Sequence, residues 1–146
     1  MKKYLALVLA GLMLLFVSCG KSSSGGGSGN EKPTPSKTSV VGCWELVSVT
    51  TKVAVGSVNV NVYIDFKSTG SFDLYQKIGE GRYTKFTGTY KLDSDGKLSG
   101  TYDGGSAWGP YTAALSGTSL TLSTASETDK YNKINAIPGS VTSNLY

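Results

Sequence analysis

The sequence of 146 residues contains no histidine, only two cysteines and a single arginine. Without imidazole the chain lacks the commonest general base and the commonest metal ligand, which excludes Ser–His and Cys–His catalysis and histidine-based zinc sites. Its length limits it to one domain. We therefore expect a non-enzymatic protein with no cofactor and no metal site.

A basic surface is also missing. The whole chain has a formal net charge of +4, but from Ser39 to Tyr146 nine cationic and nine anionic side chains cancel. Binding to a phosphate backbone requires a stripe of basic residues, and Arg82 is the only arginine. Nucleic acid is therefore not an expected partner.

The apolar run near the N-terminus is short. Residues 5–17 follow Lys2 and Lys3 and end at the small residue Ser18, which is the order typical of a secretory signal. A transmembrane helix needs about 20 apolar residues. We predict a cleaved signal peptide at residues 1–18 and no transmembrane helix.

The signal ends in Phe16-Val17-Ser18-Cys19, which resembles the lipobox of bacterial lipoproteins in the looser form typical of the Bacteroidetes. The resemblance implies cleavage before Cys19 and lipid attachment to it, and several acyl chains suffice for stable anchoring in a membrane. The alternative is an ordinary cleaved signal that happens to contain a cysteine.

A polar segment separates this cysteine from the rest of the chain. From Gly20 to Ser39 no side chain is apolar except proline, so the segment cannot form a core. We predict a tether at residues 19–38 and one folded domain at residues 39–146. Surface-exposed lipoproteins of this phylum often have acidic residues after the cysteine. Lys21 takes that place here, which favours the periplasmic side of the outer membrane over the cell surface.

The second cysteine, Cys43, has no partner if Cys19 carries lipid, so we expect a free thiol. Its neighbours Gly42, Trp44 and Glu45 provide no base or cation that would stabilise a thiolate. We expect Cys43 to be buried as a small hydrophobic side chain.

The domain has a β pattern throughout. From Val40 onward, apolar residues recur at every second position, and turn residues interrupt the chain at short intervals. Eight antiparallel strands joined by hairpins fit an up-and-down β-barrel, with a β-sandwich as the alternative. The predicted strands lie at 41–50 and 58–66, around Phe72 and Leu74, at 82–92, around Leu98 to Tyr102, around Tyr111 to Leu115, around Leu120 and Leu122, and at 128–134.

Three local features have simple structural explanations. Asp93-Ser94-Asp95-Gly96 is typical of a turn and lacks the later glutamate of a calcium loop. Gly88 is expected to let its strand bend. Tyr63 and Asp65 alternate onto the outer face of the second strand, where we expect a solvated surface.

Gly42-Cys43-Trp44 matches the G-x-W signature of lipocalins. With four further stretches, residues 40–141 resemble the lipocalin-like lipoproteins of Bacteroides and its relatives. The resemblance implies an eight-stranded barrel whose closed end is covered by Trp44. Lipocalins usually place an arginine of the last strand over this tryptophan, and Lys130 or Lys133 would replace it here. The further stretches are 86–90, 97–108, 115–122 and 136–141.

Aromatic residues are the candidate ligand contacts. They line either a packed core or a cavity with polar tyrosine tips. Trp108 lies in the glycine-rich stretch 104–110, which we expect to form a loop at the rim. There it would be an exposed recognition anchor or would fold back to plug the barrel. The candidates are Trp44, Phe66, Phe72, Phe86, Tyr90, Tyr102, Trp108 and Tyr111.

Together these patterns predict a monomeric, lipid-anchored protein of the cell envelope that binds a small hydrophobic or amphipathic molecule in a lipocalin-like barrel. The alternative is a solid barrel whose loops, led by Trp108, bind an envelope protein or a glycan.

Overall fold

The computed structural model describes residues 40–51 and 59–146. The predicted signal peptide at 1–18 and tether at 19–38 lie outside these ranges. Within them, no helix is both long enough and apolar enough to cross a membrane. The elements are β1 (Gly42–Thr51), β2 (Val60–Phe66), β3 (Ser71–Ile78), β4 (Thr84–Leu92), β5 (Lys97–Tyr102), β6 (Ala107–Ser116), β7 (Ser119–Ser123), β8 (Glu127–Ile134) and α1 (Gly139–Thr142).

The eight strands form a closed barrel. Each strand pairs with the next one along the chain, and β8 pairs antiparallel with β1. This closure confirms the up-and-down barrel and excludes the sandwich, because closing a sheet on itself leaves no free strand edges. The predicted bounds of β1, β2, β4 and β8 differ from the observed ones by one or two residues, and β6 begins earlier than expected, at Ala107.

The core occupies the inside of this barrel. In β2, Val62, Ile64 and Phe66 are buried while the residues between them are partly exposed, as the alternation of a strand requires. Each fully buried aliphatic or aromatic side chain contributes about 1.5–3 kcal/mol. The largest fully buried hydrophobic side chains are Trp44, Tyr131, Phe66, Phe72, Leu98, Leu120, Leu122, Val40 and Val141.

We call the end of the barrel that contains the β2–β3, β4–β5 and β6–β7 connections the closed end. Trp44 lies there, fully buried, and its Nε1 donates a hydrogen bond of 2.8 Å to the carbonyl of Val40. The Nζ of Lys133 lies 5.5 Å from the centroid of the Trp44 ring. Lys133 therefore takes the place over the tryptophan that the sequence predicted for Lys130 or Lys133.

The Asp93 turn also lies at the closed end. The Oδ1 of Asp93 accepts hydrogen bonds from the backbone N–H groups of Asp95 and Lys97, at 3.0 and 2.8 Å, and Gly96 has a φ of 74°. The turn interpretation is confirmed, because both carboxylate contacts are local.

The glycine at position 88 of β4 is explained by close packing and not by the expected bend of the strand. A Cβ on Gly88 would overlap the carbonyl oxygen of Thr101 on β5 and lie 2.9 Å from Cε1 of Phe72 on β3. Glycine is required here because the neighbouring backbone and the Phe72 ring approach the chain too closely for any side chain.

A second hydrophobic cluster covers part of the outer face of the barrel. The C-terminal segment brings Val141 of α1 against Tyr75 and Tyr83. Tyr83 donates its N–H to the Asn144 carbonyl at 2.9 Å, and the N–H of Tyr146 donates to the Tyr83 carbonyl at 3.1 Å.

This cluster corrects the expectation of a solvated surface at Tyr63. Tyr63 is half-buried against the cluster, its ring centroid lies 6.1 Å from that of Tyr83, and its hydroxyl donates to Oε1 of Glu45 at 2.9 Å. Burial, followed by the hydrogen bond and charge of Glu45, raises the pKa of Tyr63 to about 12. The strand pattern shows which face Tyr63 occupies but not that another segment covers it.

Candidate functional site

The eight candidate aromatic residues all point into the barrel. Six are buried, whereas Phe86 and Tyr102 are half-buried and pack against the core. Trp44 lies at the closed end, and the hydroxyl of Tyr90 donates to the Lys67 carbonyl of the β2–β3 connection at 2.9 Å. These two side chains therefore support the closed end. Centroid distances of 4.8–6.5 Å link seven of the eight rings, all except Trp44, in one group: Phe66, Phe72, Phe86, Tyr90, Tyr102, Trp108 and Tyr111.

Trp108 is not in a loop. It is the second residue of β6, is 9% exposed, and lies edge-to-face with Phe72 at 5.5 Å. It pairs with Gly100 of β5, where a Cβ would lie only 2.5 Å from Cε2 of the indole. The missing side chain of Gly100 provides the space for the tryptophan. Trp108 is therefore a core residue inside the barrel rather than an exposed anchor.

The rings leave little free space. A cavity of about 20 Å³ remains between them. One water needs about 10–15 Å³, whereas pockets for small molecules measure about 300–1,000 Å³. The middle of the barrel is therefore packed. The lining residues are Ile64, Phe66, Phe72, Leu74, Tyr102, Trp108, Tyr111 and Leu122.

A larger space, which we call the mouth cleft, lies beside the β3–β4 connection at the opposite end, the open end. Its volume is about 90 Å³. The described residues that line it are Gln76, Ile78, Glu80, Arg82, Thr84 and Tyr146.

The open half of the barrel also contains polar atoms that are buried without a hydrogen-bond partner. They are Nε2 of Gln76, Nε1 of Trp108 and Oδ1 of Asp129. Each belongs to a strand segment close to a connection at the open end. A buried polar group without a partner costs about 1–3 kcal/mol, and such groups commonly mark the place of a bound water or ligand.

Asp129 of β8 is the most unusual of the three. It is 2% exposed and, in the described part of the chain, forms no ion pair. Burial, followed by the charge and hydrogen bond of the Glu127 carboxyl, raises the pKa of Asp129 to about 8. Burial, followed by the charge of Asp129, also raises the pKa of Tyr131 well above its usual value. Burial therefore favours the protonated, uncharged form of the Asp129 carboxyl.

The lipocalin-like domain family matches residues 40–122, which is more than half of the chain. The chain belongs to the lipocalin-like domain family. Members of this family are generally non-enzymatic binders. No curated protein and no solved structure matches the chain.

The matched part of the lipocalin-like domain contains all eight candidate aromatic residues and Gln76, but not Asp129 or Glu127. Gln76 and Asp129 are not among the site residues expected from the sequence. The signal was available, because Gln76 continues the inward series of Phe72 and Leu74, and Asp129 shares its face with Tyr131. A polar residue on the apolar face of a strand is the pattern that identifies both.

Chemistry at the Cys43 thiol is disfavoured by its surroundings in this lipocalin-like fold. Cys43 is free but half-buried, so the expectation of full burial is wrong. It lies on the outer face of β1, opposite Asp65 of β2. Burial, followed by the charge and hydrogen bond of Asp65, raises the pKa of the Cys43 thiol. Cys43 is therefore a protonated thiol at neutral pH, and this form is a poor nucleophile. In residues 40–51 and 59–146, no three potential metal ligands come together.

Proposed function

We propose that this lipocalin-like protein binds a small amphipathic molecule at the open end of its barrel. The main support is the distribution of polar and apolar groups along the barrel. The closed half is packed with apolar side chains, whereas the open half holds the mouth cleft and the three unpartnered polar atoms. An amphipathic molecule matches this arrangement, because its polar end would provide the hydrogen bond that Gln76 lacks in the mouth cleft.

The packed interior limits the size of the bound part. The cavity between the rings holds about 20 Å³ and the mouth cleft about 90 Å³. Pockets that enclose whole small molecules measure about 300–1,000 Å³, so the cleft accommodates the polar end of a molecule and not the whole of it. The rest of the molecule would lie outside the cleft or displace rings of the open half.

The binding test uses residues 20–146, which contain the whole barrel and omit the predicted lipid. The chain is produced in the periplasm of the native host, and the organic extract of the purified protein is examined by mass spectrometry. We expect a stoichiometric small molecule, together with saturable uptake of a fluorescent apolar probe. An empty extract and no probe uptake would contradict the proposal.

We further propose that a lipid on Cys19 holds the protein at the outer membrane, on the periplasmic side. The support is the signal-like order of residues 1–18, the lipobox-like Phe16-Val17-Ser18-Cys19 and the tether at 19–38. The intact mass of the mature protein is expected to include diacylglycerol and an acyl chain, and the Cys19→Ser variant is expected to lack both. A wild-type mass without acyl groups would refute the anchor.

A second candidate function rests on the small interior cavity. A barrel with about 20 Å³ of internal space is also suited to act as a solid scaffold whose loops bind an envelope protein or a glycan. Trp108 would not lead such contacts because it is buried. The exposed β5–β6 connection, residues 103–106, would provide them. Exclusion of the apolar probe combined with co-purification of a partner would favour this function.

A further inference from the structure

The mouth cleft has a polar inner wall. Gln76 is 5% exposed, and its Nε2 has no hydrogen-bond partner. Gln76 pairs with Thr84 across β3 and β4, so the amide and the hydroxyl lie side by side on the inner face. An amide N–H that is removed from water and left unpaired favours any group that can accept its hydrogen bond.

The outer wall of the cleft carries the single arginine of the chain. Arg82 is exposed in the β3–β4 connection and makes no ion pair within the described residues, where the ion pairs present join Asp73 to Lys67 and Lys85. Its guanidinium is therefore available. A guanidinium presents a planar set of N–H donors that matches a carboxylate.

The hydrogen-bonding capacity of the lining favours an acceptor group in the ligand. Gln76, Arg82, Thr84 and Tyr146 can all donate, whereas Glu80 is the lone obligate acceptor among the described lining residues. Glu80 is exposed, so water screens its charge, while the donor of Gln76 is shielded from water. A carboxylate at the Gln76 side of the cleft therefore gains donors from two walls.

The charge distribution of the interior limits how deeply an anion can enter. Asp129 and Glu127 place two carboxyl groups on the inner face of β8, and the described residues provide no cation paired with either of them. The charge of Glu127, which raises the pKa of Asp129, would also repel a negative group placed beside it. The mouth cleft, with Arg82, is the favourable position for a negative group.

We propose that the mouth cleft is a carboxylate-binding site, in which Gln76 and Arg82 hold the anionic end of an amphipathic ligand. This assignment rests on the proposed binding function and adds the chemical class of the polar end. Arg82 supplies the charge and a forked pair of donors, and Gln76 supplies a donor from the buried wall.

The test compares three probes with the same alkyl chain and different polar ends: octanoate, octanol and octylamine. Their affinities for residues 20–146 are measured by titration calorimetry. We expect octanoate to bind more tightly than octanol, and octanol more tightly than octylamine. Raising the salt concentration should weaken octanoate alone, because Arg82 is exposed and its charge is screened.

Two variants test the named residues. Arg82→Gln is expected to weaken octanoate by about five- to tenfold and to leave octanol unchanged. Lys91→Gln is the matched control, because it removes the same charge from an exposed position on β4. Gln76→Leu is expected to weaken octanoate and at the same time to raise the melting temperature, since it removes an unpaired buried amide. A damaged fold would lower both the affinity and the melting temperature. Weaker binding together with a higher melting temperature therefore identifies a lost ligand contact.

The outcomes distinguish the two proposals. If octanoate and octanol bind equally and Arg82→Gln changes neither, the carboxylate site is wrong and the proposed binding function stands. Preferred binding of octylamine would overturn the carboxylate site in the same way. If none of the three probes binds and the extract of the native protein is empty, the proposed binding function fails, and the carboxylate site fails with it.

Discussion

At the scale of single residues, Asp129 places a buried carboxyl group in the open half, and this group lowers the stability of the fold. Its carboxyl lies on the inner face of β8 between Glu127 and Tyr131, with Val49 of β1 and Leu122 of β7 opposite. None of these neighbours is a cation. The folded protein therefore binds a proton at Asp129 more tightly than the unfolded chain does, and the stability of the fold depends on pH.

The first prediction concerns this dependence. The folded pKa of Asp129 is raised to about 8, whereas the unfolded value is about 3.9. The stability that the folded protein gains from this proton is therefore fully present below about pH 3.9 and is lost as the pH rises towards 8. We expect the free energy of unfolding to decrease between pH 5 and pH 8. Asp129→Asn should remove most of this decrease and make the protein about 1–3 kcal/mol more stable than wild type at pH 8.

Urea denaturation at both pH values measures the effect. Asp95→Asn is the control, because it makes the same substitution at an exposed turn position. Tyr111, whose pKa is also raised by burial, titrates above this range and does not interfere. An equal pH dependence in Asp129→Asn and wild type would show that Asp129 is not held in its protonated form.

At the scale of the strands, the close approach of side chains to neighbouring backbone determines which residues can occupy the inner faces. The inner faces of β4 and β5 carry Gly88 and Gly100, and the rings of Phe72 and Trp108 lie over them. The two glycines allow these large rings to approach the backbone of β4 and β5 closely. The packed interior, and with it the small cavity, depends on these two positions.

The second prediction tests this packing. Gly100→Ala would place a Cβ 2.5 Å from Cε2 of Trp108 and against the Thr89 carbonyl. We expect a loss of about 1–3 kcal/mol in the free energy of unfolding, with a shift in tryptophan fluorescence. Gly104→Ala is the control, since a Cβ there meets no atom within 4 Å. Equal stability of the two variants would contradict the proposed contact.

The third prediction concerns α1 and the outer cluster. Val141 is buried against Tyr75 and Tyr83, and removing its two methyl groups by Val141→Ala should cost about 2 kcal/mol of unfolding free energy. Ser140→Ala, on the exposed side of α1, should change little. A Val141→Ala variant as stable as wild type would show that α1 does not hold this surface.

At the scale of the whole molecule, closure is the main structural property. β8 completes the barrel by pairing with β1 over residues 43–51 and with β7 over residues 119–123. Removing β8 would expose two strand edges and the core between them, and unpaired edges favour association between chains.

The fourth prediction follows from this closure. A chain ending at residue 135 keeps all eight strands, so we expect it to fold as a less stable barrel without α1. A chain ending at residue 123 lacks β8, so we expect it to lose cooperative unfolding and to aggregate. Circular dichroism and size-exclusion chromatography compare the two. A folded, monomeric shorter chain would disprove the requirement for closure.

The sequence by itself determined the number, order and inward faces of the strands. The two-residue period is a local property of each strand, so Val62, Ile64 and Phe66 could be assigned to one face without a structure. The short connections then allowed little besides a meander. The cation over Trp44 was narrowed to two lysines by the family resemblance, and the structure selected Lys133.

Tertiary structure decided the remaining features, because they depend on contacts between residues far apart in the chain. Trp108 lies in a glycine-rich stretch that is typical of a loop, but it belongs to β6, where its indole packs in the space that the missing side chain of Gly100 leaves. Tyr63 is covered because the C-terminal segment returns to it. The volume inside the barrel and the burial of Gln76 and Asp129 depend on how side chains from different strands fill one space, which no period in the sequence encodes.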